Sequence, residues 1–146
     1  MNYFYALLLV VTVLSCNAPL RNDHTIVPGD GIGPYRLGIT SRAEVLADGH
    51  SLAVKNPLLL RYEFQFDEGD RLKCISVHEP GWKTSRGIGV GSSRNALLLA
   101  YPVTELKVPA FPSPHGGHTY WYPGMLVYVG SWKEKVIDDI YILPFL

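Results

Sequence analysis

Gly31-Ile32-Gly33-Pro34-Tyr35-Arg36-Leu37-Gly38-Ile39-Thr40-Ser41-Arg42-Ala43-Glu44-Val45-Leu46 in the first half of the chain is echoed by Gly87-Ile88-Gly89-Val90-Gly91-Ser92-Ser93-Arg94-Asn95-Ala96-Leu97-Leu98-Leu99 in the second. The shared core is a glycine, a variable residue, one or two hydroxyl residues and then a short apolar stretch. Each copy carries its own helix-start signal. Ser41 and Glu44 stand at capping-box spacing, and Ser92 or Ser93 offers a hydroxyl to the orphan amides of a first turn. Gly38 and Gly91 let an extended segment bend into the helix after it.

The segments after the two expected helices also match. In the first half, 57–66 alternates towards its end (Tyr62, Phe64, Phe66), Asp67-Glu68-Gly69-Asp70 reads as a turn, and 71–78 returns as a strand. In the second half, 120–129 and 135–142 are expected to do the same around Gly130 to Glu134. Leu72, Ile75 and Val77 recur in spacing as Ile137, Ile140 and Ile142. These features predict an α+β fold, an antiparallel sheet with short helices on one face, built from two tandem helix-plus-strand-hairpin repeats at about 31–79 and 87–142. The Pro- and Gly-rich stretch from Val103 to His118 reads as an irregular loop.

This glycine-led, twice-repeated pattern resembles small bacterial envelope lipoproteins. More distantly it is similar to the folds of β-lactamase-inhibitor proteins and of small lipoproteins of outer-membrane assembly. The resemblance covers roughly Ile26 to Ile142. It implies helices packed on one face of an antiparallel sheet, and binding rather than catalysis.

The start of the chain bears on location. Met1 to Ser15 contains no Asp, Glu, Lys or Arg, and its apolar run from Phe4 to Leu14 has the length of a signal-peptide core, about 7 to 15 residues. It is too short to span a bilayer, which takes about 20. Val13-Leu14-Ser15-Cys16 resembles the lipobox of bacterial lipoproteins, in which an aliphatic residue, a variable position and a small residue precede a cysteine. The resemblance implies cleavage after Ser15 and a diacylglyceryl thioether on Cys16, the first residue of the mature chain. Burial of each methylene contributes about 0.8 kcal/mol, so two or more chains anchor stably where one is marginal. It further implies a periplasmic site at the outer membrane, because Asn17 stands where an enterobacterial inner-membrane protein carries Asp. The alternatives are an ordinary cleaved signal, with Cys16 incidental, or an uncleaved membrane-associated helix.

The domain organisation expected is a signal at 1–15, a lipidated cysteine and polar tether at 16–25, and one α+β domain at 26–146. The two cysteines test the anchor. A plain secreted chain would bridge Cys16 to Cys74, whereas lipid on Cys16 leaves Cys74 as a small buried residue in a strand. Thirteen Lys plus Arg balance thirteen Asp plus Glu with no basic block, which gives no support for nucleic-acid binding.

Chemical motifs are sparse. Gly29-Asp30-Gly31-Ile32-Gly33 lacks the spacing of a dinucleotide fingerprint and the Lys of a nucleotide loop, so a turn or bulge is the better reading. His115-Gly116-Gly117-His118 places two imidazoles close together, but a metal site would need a third ligand from His24, His50 or His78. Asp138 and Asp139 are neighbours on a strand and point to opposite faces. Ser85, Ser92 and Ser93 sit in no nucleophile elbow, and nothing near Cys74 would lower its pKa. No catalytic residue, metal or cofactor is expected.

The aromatic residues are more suggestive. Tyr120, Trp121 and Tyr122, with Trp82 and Trp132 elsewhere, exceed what one small core needs, and such side chains are favoured at binding hot spots. On a strand Trp121 faces away from Tyr120 and Tyr122, so one set is expected to pack inside and the other to lie on the second face. The expected function is a non-catalytic, lipid-anchored envelope protein that binds a protein or cell-wall component through its open sheet face, with Trp121, Trp132, Tyr120 and Tyr122 as the candidate binding residues. A narrower form is a periplasmic inhibitor or immunity protein. The alternative from another class is an envelope hydrolase or metal-binding protein using His115 and His118.

Overall fold

The computed structural model describes residues 25–48, 62–113, 116–130 and 135–145. The expected signal, Cys16, the tether up to residue 24, His24, His50, His115 and Trp132 lie outside the described residues. Along the chain run β1 (Thr25–Val27), β2 (Gly31–Ile32), β3 (Tyr35–Arg36), α1 (Arg42–Ala47), β4 (Tyr62–Phe66), β5 (Leu72–Val77), β6 (Lys83–Thr84), α2 (Arg94–Ala100), β7 (Phe111–Pro112), β8 (His118–Tyr122), β9 (Met125–Val129) and β10 (Ile137–Ile142). Thr25, expected in the tether, already belongs to a strand.

Where the sequence predicts one antiparallel sheet, two form. The larger has the order β4-β5-β10-β9-β8-β7 and the smaller β3-β2-β1-β6. The smaller contains a parallel pair, β1 with β6, with Thr25 opposite Lys83 and Ile26 opposite Thr84. Its strands hold two or three residues each, below the roughly four to eight over which alternation becomes legible. Two further expectations are corrected. The stretch 120–129 is not one strand but parts of β8 and β9, which fold back on each other about Pro123 and Gly124. The supposed loop 103–118 holds a 3-10 turn (Val103–Glu105) and β7, and Lys107 N–H donates to the Trp121 carbonyl at 2.8 Å, so this stretch lines the sheet edge.

The β4–β5 and β9–β10 hairpins share one register. Phe66 opposes Leu72, Gln65 opposes Cys74 and Phe64 opposes Ile75, which leaves Lys73 bulged. Likewise Val129 opposes Ile137, Tyr128 opposes Asp139 and Val127 opposes Ile140, which leaves Asp138 bulged. A bulge sets two residues of one strand against one of its partner. That is why Leu72 and Ile75, like Ile137 and Ile140, lie three apart in sequence yet all face the core.

The entry to each helix repeats too. Gly38 N–H donates to the Leu72 carbonyl, and Leu72 N–H to Thr40. Gly91 N–H donates to Ile137, and Ile137 N–H to Ser92. Arg42 and Arg94, each the first helical residue, donate their N–H to Asp70 (3.0 Å) and Lys135 (2.7 Å). Asp70 and Lys135 both sit at positive φ, 57° and 47°.

Helices of six and seven residues are too short to persist alone. Their starts are capped as the sequence predicts. Ser41 and Glu44 form the complete capping box, which holds the Glu44 carboxyl below its usual range through hydrogen bonds from Ser41. Of the two candidate serines before α2, Ser93 caps by accepting from Ala96 N–H, while Ser92 accepts from Gly89 N–H. Val45 of α1, Leu97 of α2, and Ile26 and Ile32 of the smaller sheet join one buried cluster with Leu72, Ile75, Val77, Ile137, Ile140 and Ile142. The helices and the smaller sheet therefore share a core with one face of the larger sheet.

Candidate functional site

Successive side chains on a strand point to opposite faces, so the larger sheet has an outer face as well as the core face. Glu63 and Gln65 come from β4, and Cys74 and Ser76 from β5, with His78 just beyond it. Asp139 and Tyr141 come from β10, Leu126 and Tyr128 from β9, and Thr119 and Trp121 from β8. Trp121, Leu126, Tyr128 and Tyr141 are half-buried, so an aromatic and aliphatic strip crosses the middle of this face with part of each side chain open to solvent.

A polar clasp lies beside the strip. His78 Nδ1 and Asp139 Oδ1 are 2.5 Å apart and tie the end of β5 to β10. The carboxylate keeps the imidazole proton on Nδ1, and the ring meets Tyr141 edge-on with centroids 6.3 Å apart. His78 Nε2, Ser76 Oγ and Tyr128 Oη are buried with no hydrogen-bond partner among the described residues. Burial first, then the nearby Asp139 and Glu63 carboxylates, raises the Tyr141 hydroxyl above its ordinary pKa.

The four aromatic candidates are divided by the structure. Tyr120 and Tyr122 are each 1% exposed and belong to the core cluster, so they are not surface residues. Their hydroxyls are spoken for: Arg94 Nε donates to Tyr120 Oη at 2.5 Å, and Tyr122 Oη donates to the Tyr101 carbonyl at 2.8 Å. Trp121 points the other way, onto the outer face, as strand alternation requires. Trp132 lies outside the described residues. Sequence reading missed His78, Tyr128, Asp139 and Tyr141 as companions of Trp121. The signal was there in the alternation of Cys74, Ser76 and His78, but it needed the pairing of β5 with β10 to acquire a meaning.

Cys74 is a free thiol, 6% exposed, on the outer side of β5. Burial pushes it up to about 11, and burial likewise pushes the Tyr122 hydroxyl up to about 12. Both pKa values are higher in the folded state, so the stability they contribute is full below the ordinary thiol value of 9.0 and is lost as pH rises towards 11 and 12. Thermal unfolding between pH 8 and 11 is expected to show a falling midpoint. The Cys74→Ala variant should show a shallower fall, and identical slopes would contradict this reading.

The remaining motifs resolve simply. Gly29 sits in the turn joining β1 to β2 and donates its N–H to the Gly124 carbonyl at 2.8 Å, so the glycine-rich stretch is a pair of turns. His118 opens β8 and is exposed. Among the described residues no group of three or more His, Cys, Asp or Glu is placed to hold a metal ion, and no helix is long and apolar enough to cross a membrane. No family model, curated protein or solved structure matches the chain.

Proposed function

We propose that the chain is a non-catalytic, lipid-anchored protein of the bacterial envelope, held through Cys16 on the periplasmic side of the outer membrane, which docks a partner protein or cell-wall component. The docking surface is the outer face of the larger sheet. The observation that carries this reading is the strip of Trp121, Leu126, Tyr128 and Tyr141, half-open to solvent on the face opposite the core. Large aromatic side chains around a partly desolvated centre form the usual centre of a protein interface. The anchor rests on the likeness of Val13 to Cys16 to a lipobox, and the free Cys74 is consistent with a Cys16 consumed by lipid.

The domain is further proposed to be a duplication. The shared hairpin register, the matched bulges at Lys73 and Asp138, and the matched helix entries support it. On this reading β8 and β7 are additions to the second copy, and Trp121 sits on the added part.

The test is Trp121→Ala in cells, with chemical cross-linking before purification. Removal of a hot-spot side chain costs about 2 kcal/mol or more, which is about thirtyfold in affinity. The cross-linked species should therefore disappear while the unfolding midpoint stays close to that of the wild type. An undiminished cross-link would remove this face from consideration as the docking surface.

A further inference from the structure

The two helix entries differ in one respect that their shared geometry makes conspicuous. In the first, Arg42 Nε donates to Asp70 Oδ1 at 2.8 Å, and the guanidinium lies 4.7 Å from the centre of the Phe66 ring. The cation is neutralised in place. In the second, Arg94 occupies the Arg42 position and Lys135 the Asp70 position, so the acid is replaced by a second base. Val129 takes the place of Phe66 in the register.

A cavity of about 470 Å³ opens there, lined among the described residues by Arg94, Lys135, His118, Val129, Gly117 and Gly130. Arg94 is aimed by its own contacts. Its Nε donates to the buried Tyr120 hydroxyl, and the guanidinium lies 5.9 Å from the centre of that ring. Both terminal nitrogens remain without a carboxylate among the described residues. Asp138, whose carboxylate packs against Gly130, lies outside the lining and is engaged in an interaction of its own. Two cationic side chains, Arg94 and Lys135, and an imidazole meet at one partly apolar hollow, and a guanidinium matches two oxygens of one anionic group.

We propose that the second half of the chain holds an anion-binding pocket in which Arg94, Lys135 and His118 receive the phosphate or carboxylate group of a small ligand. His118 and Val129 of the lining pair with each other on the face of β8 and β9 opposite Trp121, so the ligand and a partner docked on Trp121 take different sides of the sheet.

The test is a titration of the ¹⁵N-labelled full chain, purified in mild detergent, with inorganic phosphate in one arm and succinate in the other, against chloride at equal ionic strength. Saturable shifts of the Gly117 and Gly130 amides and of Arg94 Nε–H are expected with at least one of the two anions. Phosphate alone would assign a phosphoryl ligand, and succinate alone a carboxylate. Lys135→Asp recreates the arrangement of Asp70, and Asp tolerates positive φ better than Lys. It should unfold no earlier than the wild type while weakening binding by about tenfold or more, as expected for loss of a charged hydrogen-bond donor. Arg94→Gln should weaken binding similarly with the lysine intact. No saturable shift with either anion, or undiminished binding in both variants, would overturn the proposal.

Discussion

Gly124→Ala is expected to remove about 3 to 5 kcal/mol of stability, a large part of the roughly 5 to 15 that a domain of this size holds. Gly124 has φ 71°, where an L residue costs about 1 to 2 kcal/mol. A Cβ there would lie 2.2 Å from Gly29 N and 2.5 Å from Gly29 Cα, both backbone atoms that no side-chain rotation can move aside. Retreat would break two hydrogen bonds onto the Gly124 carbonyl, from Gly29 N–H and Leu143 N–H, each contributing about 1 kcal/mol. Gly38 supplies the control. It has the same φ of 71° and open space around its missing side chain, so Gly38→Ala should cost only the backbone strain of about 1 to 2 kcal/mol. Urea unfolding of both variants separates strain from collision, and equal losses would show that the β8–β9 turn does not press on the β1–β2 turn.

Ile140→Ala and Ile75→Ala are each expected to lower stability by about 2 to 5 kcal/mol through lost burial and the cavity left behind. Both residues are fully buried. Ile140 lies on β10 between Val77 of β5 and Val127 of β9, in the interior of the larger sheet. Ile75 stands at the same offset from the bulge in the first hairpin, opposite Phe64 and Ile142. Comparable losses are therefore expected at the two sites in denaturant unfolding. Leu99→Ala is the contrasting case: the side chain is 87% exposed, and its removal should change stability by no more than about 0.5 kcal/mol. A small loss at Ile140 beside a large one at Ile75 would mean that β10 does not hold the two hairpins together.

The helix starts and the core positions of the hairpins were legible in the chain because they rest on local chemistry. Ser41 with Glu44 caps a helix by hydroxyl and carboxylate reach alone, and Leu72, Ile75 and Val77 announce a buried face by their own pattern. The odd three-residue step within that pattern even encodes the bulge at Lys73. The smaller sheet was not legible, because β1 meets β6 across more than fifty residues of sequence and strands of two or three residues carry no period. The β8–β9 turn was missed for a different reason. Pro123 and Gly124 are a turn signal, but the aromatic run on either side reads as one continuous strand. Burial divided the aromatic residues: alternation correctly separated Trp121 from its neighbours, yet only the packing of Tyr120 and Tyr122 into the core cluster decided which side was inside. The His78–Asp139 pair joins residues sixty-one apart, and only strand pairing brings them together.

The proposed location depends on the lipid anchor, whereas the docking face stands on the strip around Trp121. Metabolic labelling with a tritiated fatty acid, in cells expressing the wild type or Cys16→Ser, tests it most directly. Label is expected on the wild-type chain, resistant to neutral hydroxylamine because the acyl chains are held as oxygen esters of the glyceryl group and not as a thioester, and none on Cys16→Ser. Label retained by the serine variant, or absent from a wild-type chain that is expressed and stable, would contradict the anchor.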